Sequence, residues 1–163
     1  MKQLINTSIK IIQTMPGDDS FVHFKTVPSQ IYNRKELDFF QLHQLEKEFL
    51  KVCLVVLDNE TPKARVGIYF NPHLKSDGKV VAALGAYECV DKEKYWKLIL
   101  KESIQVCKEN GASLIIGPMS GSTWNDYRFM DNVNAQEDVF FGEAYNSLAY
   151  PSHFRALGFK IAA

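Results

Sequence analysis

Glu88 stands near the end of an apolar run, "KVVAALGAYECV" at 79–90, a place from which a carboxylate can act as general base toward an amine. The alternative reading is a solvent-facing carboxylate in an alternating strand. Downstream, "SLIIGPMSGSTWNDYRF" at 113–129 stops an apolar run at Gly117-Pro118 and continues as a small-residue loop with polar and aromatic groups. Proline cannot donate to a ladder and pushes its predecessor out of helical space, so the strand must end there. From Phe129 to Phe154 there is no Lys or Arg, whereas Asp131, Glu137, Asp138 and Glu143 are acidic. Such a segment attracts a cationic amine, or is simply solvated. His23, His43, His73 and His153 show no ligand spacing, so no metal is expected. His153 reads as a partly exposed helix residue.

The elements that position these groups follow from periodicity. Ile5, Thr7, Ile9 and Ile11 alternate with polar residues and predict a strand over 4–12. Leu37, Phe40, Leu45 and Phe49 near helical spacing predict one or two helices over 28–50. Strands at 52–58, 63–70 and 79–90 form an antiparallel meander. Asp91 is placed to cap a helix over 92–110, with Trp96, Ile99, Ser103, Ile104 and Cys107 inward and Gly111 as its stop. "SLIIG" at 113–117 is continuous enough for a strand covered on both faces. A short helix at 122–128, a final helix at 147–157 and the start of another strand at "GFKIAA" complete the order. The helix between 79–90 and 113–117 implies a right-handed crossover joining parallel neighbours. The expected class is therefore α/β (α+β), a mixed, mostly antiparallel sheet with one parallel pair flanked by helices. Its ligand cleft belongs where the parallel pair diverges.

Composition sets outer limits. The 163 residues are 46% hydrophobic and carry nineteen basic against nineteen acidic groups, so one domain has core material but no basic surface for nucleic acid. No apolar run reaches the ~18 residues a membrane helix needs. Three spaced cysteines, Cys53, Cys89 and Cys107, lie in apolar segments without a CxxC pair and read as buried, reduced thiols of a cytoplasmic protein.

"ARVGIYFNPHL", "LGAYECVDKEKYWKLIL", "NGASLIIGPMSGSTWNDYRF" and "GEAYNSLAYPSHFRALGF", in that order, resemble a group of uncharacterised bacterial acetyltransferase-like proteins. These belong to the GCN5-related N-acetyltransferase (acyl-CoA N-acyltransferase) superfamily, and the resemblance covers about 63–159. It implies transfer of an acetyl or other acyl group from acyl-CoA to a small-molecule amine by direct attack in the cleft. On the cofactor side it implies Gly85, Tyr87, Lys92 and Asn146, with a strand bulge at Gly85 turning amides toward the acyl carbonyl. An interior strand glycine such as Gly85 often marks a bulge or a close backbone approach, and the alternative is room for a packed helix. Trp124, Asn125 and Tyr127 would line the acceptor side; alternatively Ser122 or Thr123 caps a turn and Trp124 plugs the core.

The sequence departs from the family pattern at three places. The family's Q/R-x-x-G-x-G/A pyrophosphate loop is replaced by "AYECVDKEKYW", where Asp91 opposes an anion and Lys92 and Lys94 partly offset it. Phe154 stands where many members carry the tyrosine that protonates the leaving thiolate, so Tyr150, one turn earlier, is the substitute acid beside Glu88 as base. The closing strand pair is missing, which implies either the front part of a longer or tandem protein, or completion of the sheet by a second copy as a homodimer. A catalytically silent domain serving as a binding or dimerisation module is the competing reading.

Overall fold

The computed structural model describes residues 8–40, 42, 45–124, 129 and 145–161. Chain order is β1 (Ile9–Thr14), α1 (Phe21–Thr26), a 3-10 turn (Val27–Gln30), α2 (Arg34–Phe39), β2 (Leu50–Asp58), β3 (Thr61–Tyr69), β4 (Lys75–Ser76), β5 (Lys79–Cys89), α3 (Glu93–Glu109), β6 (Leu114–Ile116) and α4 (Tyr150–Ala156). Among the described residues six strands form one mixed sheet, β1-β2-β3-β5-β4, with β6 parallel to β5. This is the expected class. No helix among the described residues is long and apolar enough to cross a membrane.

Turn chemistry sets the register. Asn59 and Glu60, with φ of 48° and 66°, make the two-residue β2–β3 connection a type I′ hairpin whose twist matches the strands. Asp77 and Gly78 repeat that device between β4 and β5, with φ of 49° and 73°. Gly111, at φ 90°, ends α3: its N–H reaches Lys108 O and Ala112 N–H reaches Cys107 O, the Schellman pair.

The alternation of β2 divides the core. Cys53, Val55 and Leu57 face Phe21, Phe24 and Val27 on one side of the sheet. Leu54 and Val56 join Ile99, Leu100, Cys107, Tyr150 and Phe154 on the other. All three thiols are buried, and burial pushes Cys53 and Cys89 up to about 12 and Cys107 up to about 11.

Several expectations need correction. The helical segment starts at Phe21 rather than 28 and ends at Phe39; Leu45 and Phe49 are not helical, and Phe49 has a φ of 64°. Their spacing served packing, because Leu45 lies against the Phe21–Phe24 cluster without helical backbone. Asp91 does not cap α3. Lys92 holds that position with no side-chain bond, because the Asp91 carboxylate is engaged elsewhere. The inward stripe of α3 is rotated toward Tyr95, Leu100 and Val106, leaving Trp96 and Ile104 half-buried. β6 is half-buried rather than covered on both faces. No strand is present over Gly158–Ile161. Most of the expected helix at 122–128 lies outside the described residues.

Candidate functional site

A bulge interrupts β5 at the end nearest α3. Arg65 of β3 is opposite Glu88 and Gly67 is opposite Gly85, so Ala86 and Tyr87 together face the single Val66. Ala86 takes a φ of 52° there. Such an insertion bends the strand and re-aims the residues beyond it. It falls one residue after Gly85. Gly85 itself serves close approach: a Cβ on it would lie 2.6 Å from Met119 O and 2.6 Å from Ser120 Cα. The neighbour requiring the glycine is the loop after β6, not a helix. Asn71 of the Asn-Pro pair after β3 secures that loop, its Nδ2 donating to Gly121 O at 2.9 Å.

Beyond the bulge, Glu88 is 5% exposed, so the solvent-facing reading is overturned. Its Oε2 accepts from Tyr150 Oη at 2.6 Å and from Tyr32 Oη at 2.8 Å. Tyr150 Oη also accepts from the Cys89 N–H at 3.0 Å, and Tyr32 Oη from the Ser147 N–H at 3.1 Å. Asn146, buried beside Ser147, donates to the Ser147 carbonyl at 2.9 Å. Arg65, also buried, donates to Ala86 O, Leu42 O and Phe24 O, and its charge favours the Glu88 carboxylate across the strand pair. Burial pushes both phenols far above the ordinary tyrosine range, and the Glu88 charge adds to it. Both therefore hold their protons at neutral pH.

A second line of polar contacts starts on the same strand. Tyr87 Oη is 3.0 Å from His153 Nδ1, and His153 Nε2 is 2.8 Å from Asp91 Oδ1. The imidazole stacks on Trp96 at 5.0 Å and 13°. Far from being a partly exposed helix residue, His153 is 2% exposed. Burial lowers its pKa below the ordinary 6.5 against the opposing effect of Asp91, so the contact is a hydrogen bond of a neutral ring rather than an ion pair.

The parallel pair is where it was expected, with Val81, Ala82 and Ala83 in register with Leu114, Ile115 and Ile116. The open gap expected beyond it is not. Tyr87, Phe129, Tyr150 and Phe154 pack edge to face there, with centroids of 5.0 Å for Tyr87–Phe154 and 5.1 Å for Phe129–Phe154. Edge-to-face rings fill such a space at low cost because their quadrupoles are complementary. Phe154, besides lacking a proton, closes the lip: its Cε1 lies 2.9 Å from where a Cβ on Gly117 would stand. A cavity of about 460 Å³ lies toward the opposite end of β5, lined by Phe70, Asn71, Pro72, Leu74 and Val80.

The fold thus brings Glu88, Tyr150, Tyr87 and Gly85 together and sets Lys92 at the neighbouring helix terminus. Trp124 is 95% exposed and plugs nothing. Asn125, Tyr127 and the acidic Asp131, Glu137, Asp138 and Glu143 lie outside the described residues. Sequence reasoning gave no role to Tyr32, Arg65 or His153. Arg65 alternates with the apolar Ala64, Val66 and Ile68, a pattern that marks a sheet face but not its partner, whereas His153 shares the i, i+3, i+4 stripe of Tyr150 and Phe154.

No family profile and no curated protein sequence matches the chain. Solved structures do. A transcriptional regulator from Bacillus halodurans C-125 aligns with a TM-score of 0.57 at 13% identity, over 96% of this chain and 95% of its own. The aminoglycoside N-acetyltransferase AAC(6')-Iy, solved with CoA, aligns at 0.56 and 10% identity, over 96% and 91%. A protein from Clostridium acetobutylicum titled a predicted acetyltransferase, solved with acetyl-CoA, aligns at 0.53 and 13%, over 95% and 92%. The chain has the acyl-CoA N-acyltransferase fold of the GCN5-related N-acetyltransferases. Since a transcriptional regulator shares it, activity must be argued from the site.

Proposed function

We propose that the protein transfers an acyl group from an acyl-CoA to an amine. The observation that carries this reading is the direct contact of a buried carboxylate, Glu88, with a buried phenol, Tyr150, just past the bulge of β5. A base and an acid in contact can pass one proton between them. Glu88 takes the proton that the ammonium group must lose before it attacks. Tyr150 protonates the departing sulfur and recovers its proton from Glu88. Tyr32 and Arg65 keep Glu88 in place and ionised.

The residues present fit CoA at a helix terminus, not in a glycine cradle. The positive end of α3, seventeen residues long, follows β5 directly, with Lys92 at its cap. The two carboxylates beside it are engaged, Asp91 by His153 and Glu93 by Lys97. Acyl-CoA would supply the activated thioester. Lys92 and the α3 terminus face its phosphates on this reading, Asn146 and the Tyr87 side of the bulge its arm, and the exposed Trp124 with Asn125 and Tyr127 the amine. The solved neighbours that carry CoA support acyl-CoA over the catalytically silent alternative, while the ring-filled gap is the observation on the silent side.

Calorimetric titration with acetyl-CoA decides between them. Binding in the micromolar to millimolar range, with turnover of a simple amine and a ~10²-fold or larger loss in Tyr150→Phe, is the expected result. No heat and no thermal shift at millimolar acetyl-CoA would leave the silent domain as the function.

A further inference from the structure

Acyl transfer from a thioester to an alkylammonium forms a C–N bond, breaks the C–S bond and removes two protons from nitrogen. One ends on the thiolate sulfur and the other must reach solvent. Glu88 and Tyr150 account for the first. At the tetrahedral adduct Glu88 still carries the first proton and Tyr150 its own, so neither can take the second, which needs its own acceptor.

We propose that Tyr87, His153 and Asp91 form a proton-storing triad that accepts this second proton from the tetrahedral adduct. The inference rests on the acyl-transfer reading. The donor directions are fixed by chemistry. The Asp91 carboxylate can only accept, so the neutral imidazole carries its hydrogen on Nε2 and presents a bare Nδ1 to Tyr87, whose hydroxyl therefore donates. A proton arriving at Tyr87 Oη pushes the phenol's own proton onto Nδ1. The resulting imidazolium faces the Asp91 carboxylate 2.8 Å away and a stacked Trp96 ring. When product leaves, the proton returns through Tyr87 Oη to entering water, so the ring needs no flip. Asp91 is 65% exposed at its side chain while His153 is buried, so the triad has one end in water and the other in the aromatic cluster. The lowered pKa of His153 suits the role, because an acceptor must be neutral at the start. The groups facing the imidazole are Tyr87 from β5, Asp91 from the β5–α3 junction, Trp96 from α3 and Tyr150 from its own helix. Among the described residues Asp91 is the carboxylate that bonds to it.

The test is carried out on the full chain with acetyl-CoA and an amine that the wild type turns over. Asp91→Asn changes an exposed side chain and should fold. Removing the carboxylate makes the imidazole less basic, so the acid limb of kcat/KM must move to lower pH and kcat must fall. KM for acetyl-CoA must not rise, since a negative charge beside the phosphates is lost. His153→Gln should lose ~10- to 100-fold in kcat and show no limb. Nitrogen-15 NMR of the wild type should find the Nε2–H tautomer. An unmoved acid limb in Asp91→Asn, or an Nδ1–H tautomer, overturns the triad while leaving acyl transfer standing. A wild type inactive at saturating acetyl-CoA toward every amine tried overturns acyl transfer and the triad together.

Discussion

At the residue scale the site depends on burial more than on residue type. A carboxylate and two phenols within hydrogen-bonding distance are ordinary on a surface; with Glu88 5% exposed and Tyr150 fully buried, their protons cannot be exchanged with solvent cheaply. The same burial gives His153 a signature in stability. Its folded pKa lies below the ordinary 6.5, so as pH falls the unfolded chain binds the proton first and the folded state loses stability. The loss begins near pH 6.5 and stops once the folded ring is itself protonated. Urea melts between pH 7.5 and 5 should show it, and His153→Gln should remove that part of the slope. A wild type and variant with parallel slopes would mean that His153 is not held neutral.

At the element scale, the working end of β5 is shaped by what crosses it. The bulge at Ala86–Tyr87 aims Glu88 inward, and the loop after β6 lies so close to Gly85 that no side chain fits between them. Gly85→Ala places a methyl group against backbone atoms that cannot rotate aside. We expect a loss of about 1–3 kcal/mol in a denaturant melt. A loss under ~0.5 kcal/mol would mean that the Met119–Ser120 segment is not seated on β5 in solution. The expectation placed the bulge at this glycine because an interior strand glycine often marks one. Here it marks the other use of a glycine, close backbone approach, and the bulge falls one residue later at an alanine.

Across the whole molecule, one buried group of polar residues ties together parts far apart in sequence: Tyr32 after α1, Arg65 of β3, Glu88 of β5 and Tyr150 of α4. Arg65 adds bonds to carbonyls of Phe24 and Leu42, and its guanidinium lies 4.7 Å from the Phe24 ring. Arg65→Met leaves Glu88 buried without its counter-charge and should cost about 3–5 kcal/mol. Adding Glu88→Gln removes that charge, so the double variant should be more stable than the sum of the singles by ~0.5–3 kcal/mol. Urea unfolding of the four proteins measures this; strict additivity would show that Arg65 and Glu88 are not partners.

The sequence by itself determined what depends on neighbours along the chain. Strand alternation and Gly111 at the end of α3 are local and legible, and the parallel crossover follows from a helix joining two strands. The two-residue turns at Asn59-Glu60 and Asp77-Gly78 were not, since the strand that begins at 61 was expected to start at 63 and 75–76 was expected to be turn. Glu88 was legible as a candidate from its place near a strand end, whereas Tyr150 came only through the family resemblance, as the substitute for the tyrosine that Phe154 replaces. Tertiary structure alone decided that they touch each other, that Asp91 turns from the α3 terminus to His153, and that aromatic rings occupy the space beside the parallel strands. Those outcomes depend on contacts between residues sixty or so positions apart, whose energies are settled by shape and desolvation once the sheet has formed, and nothing in a short window of sequence encodes them.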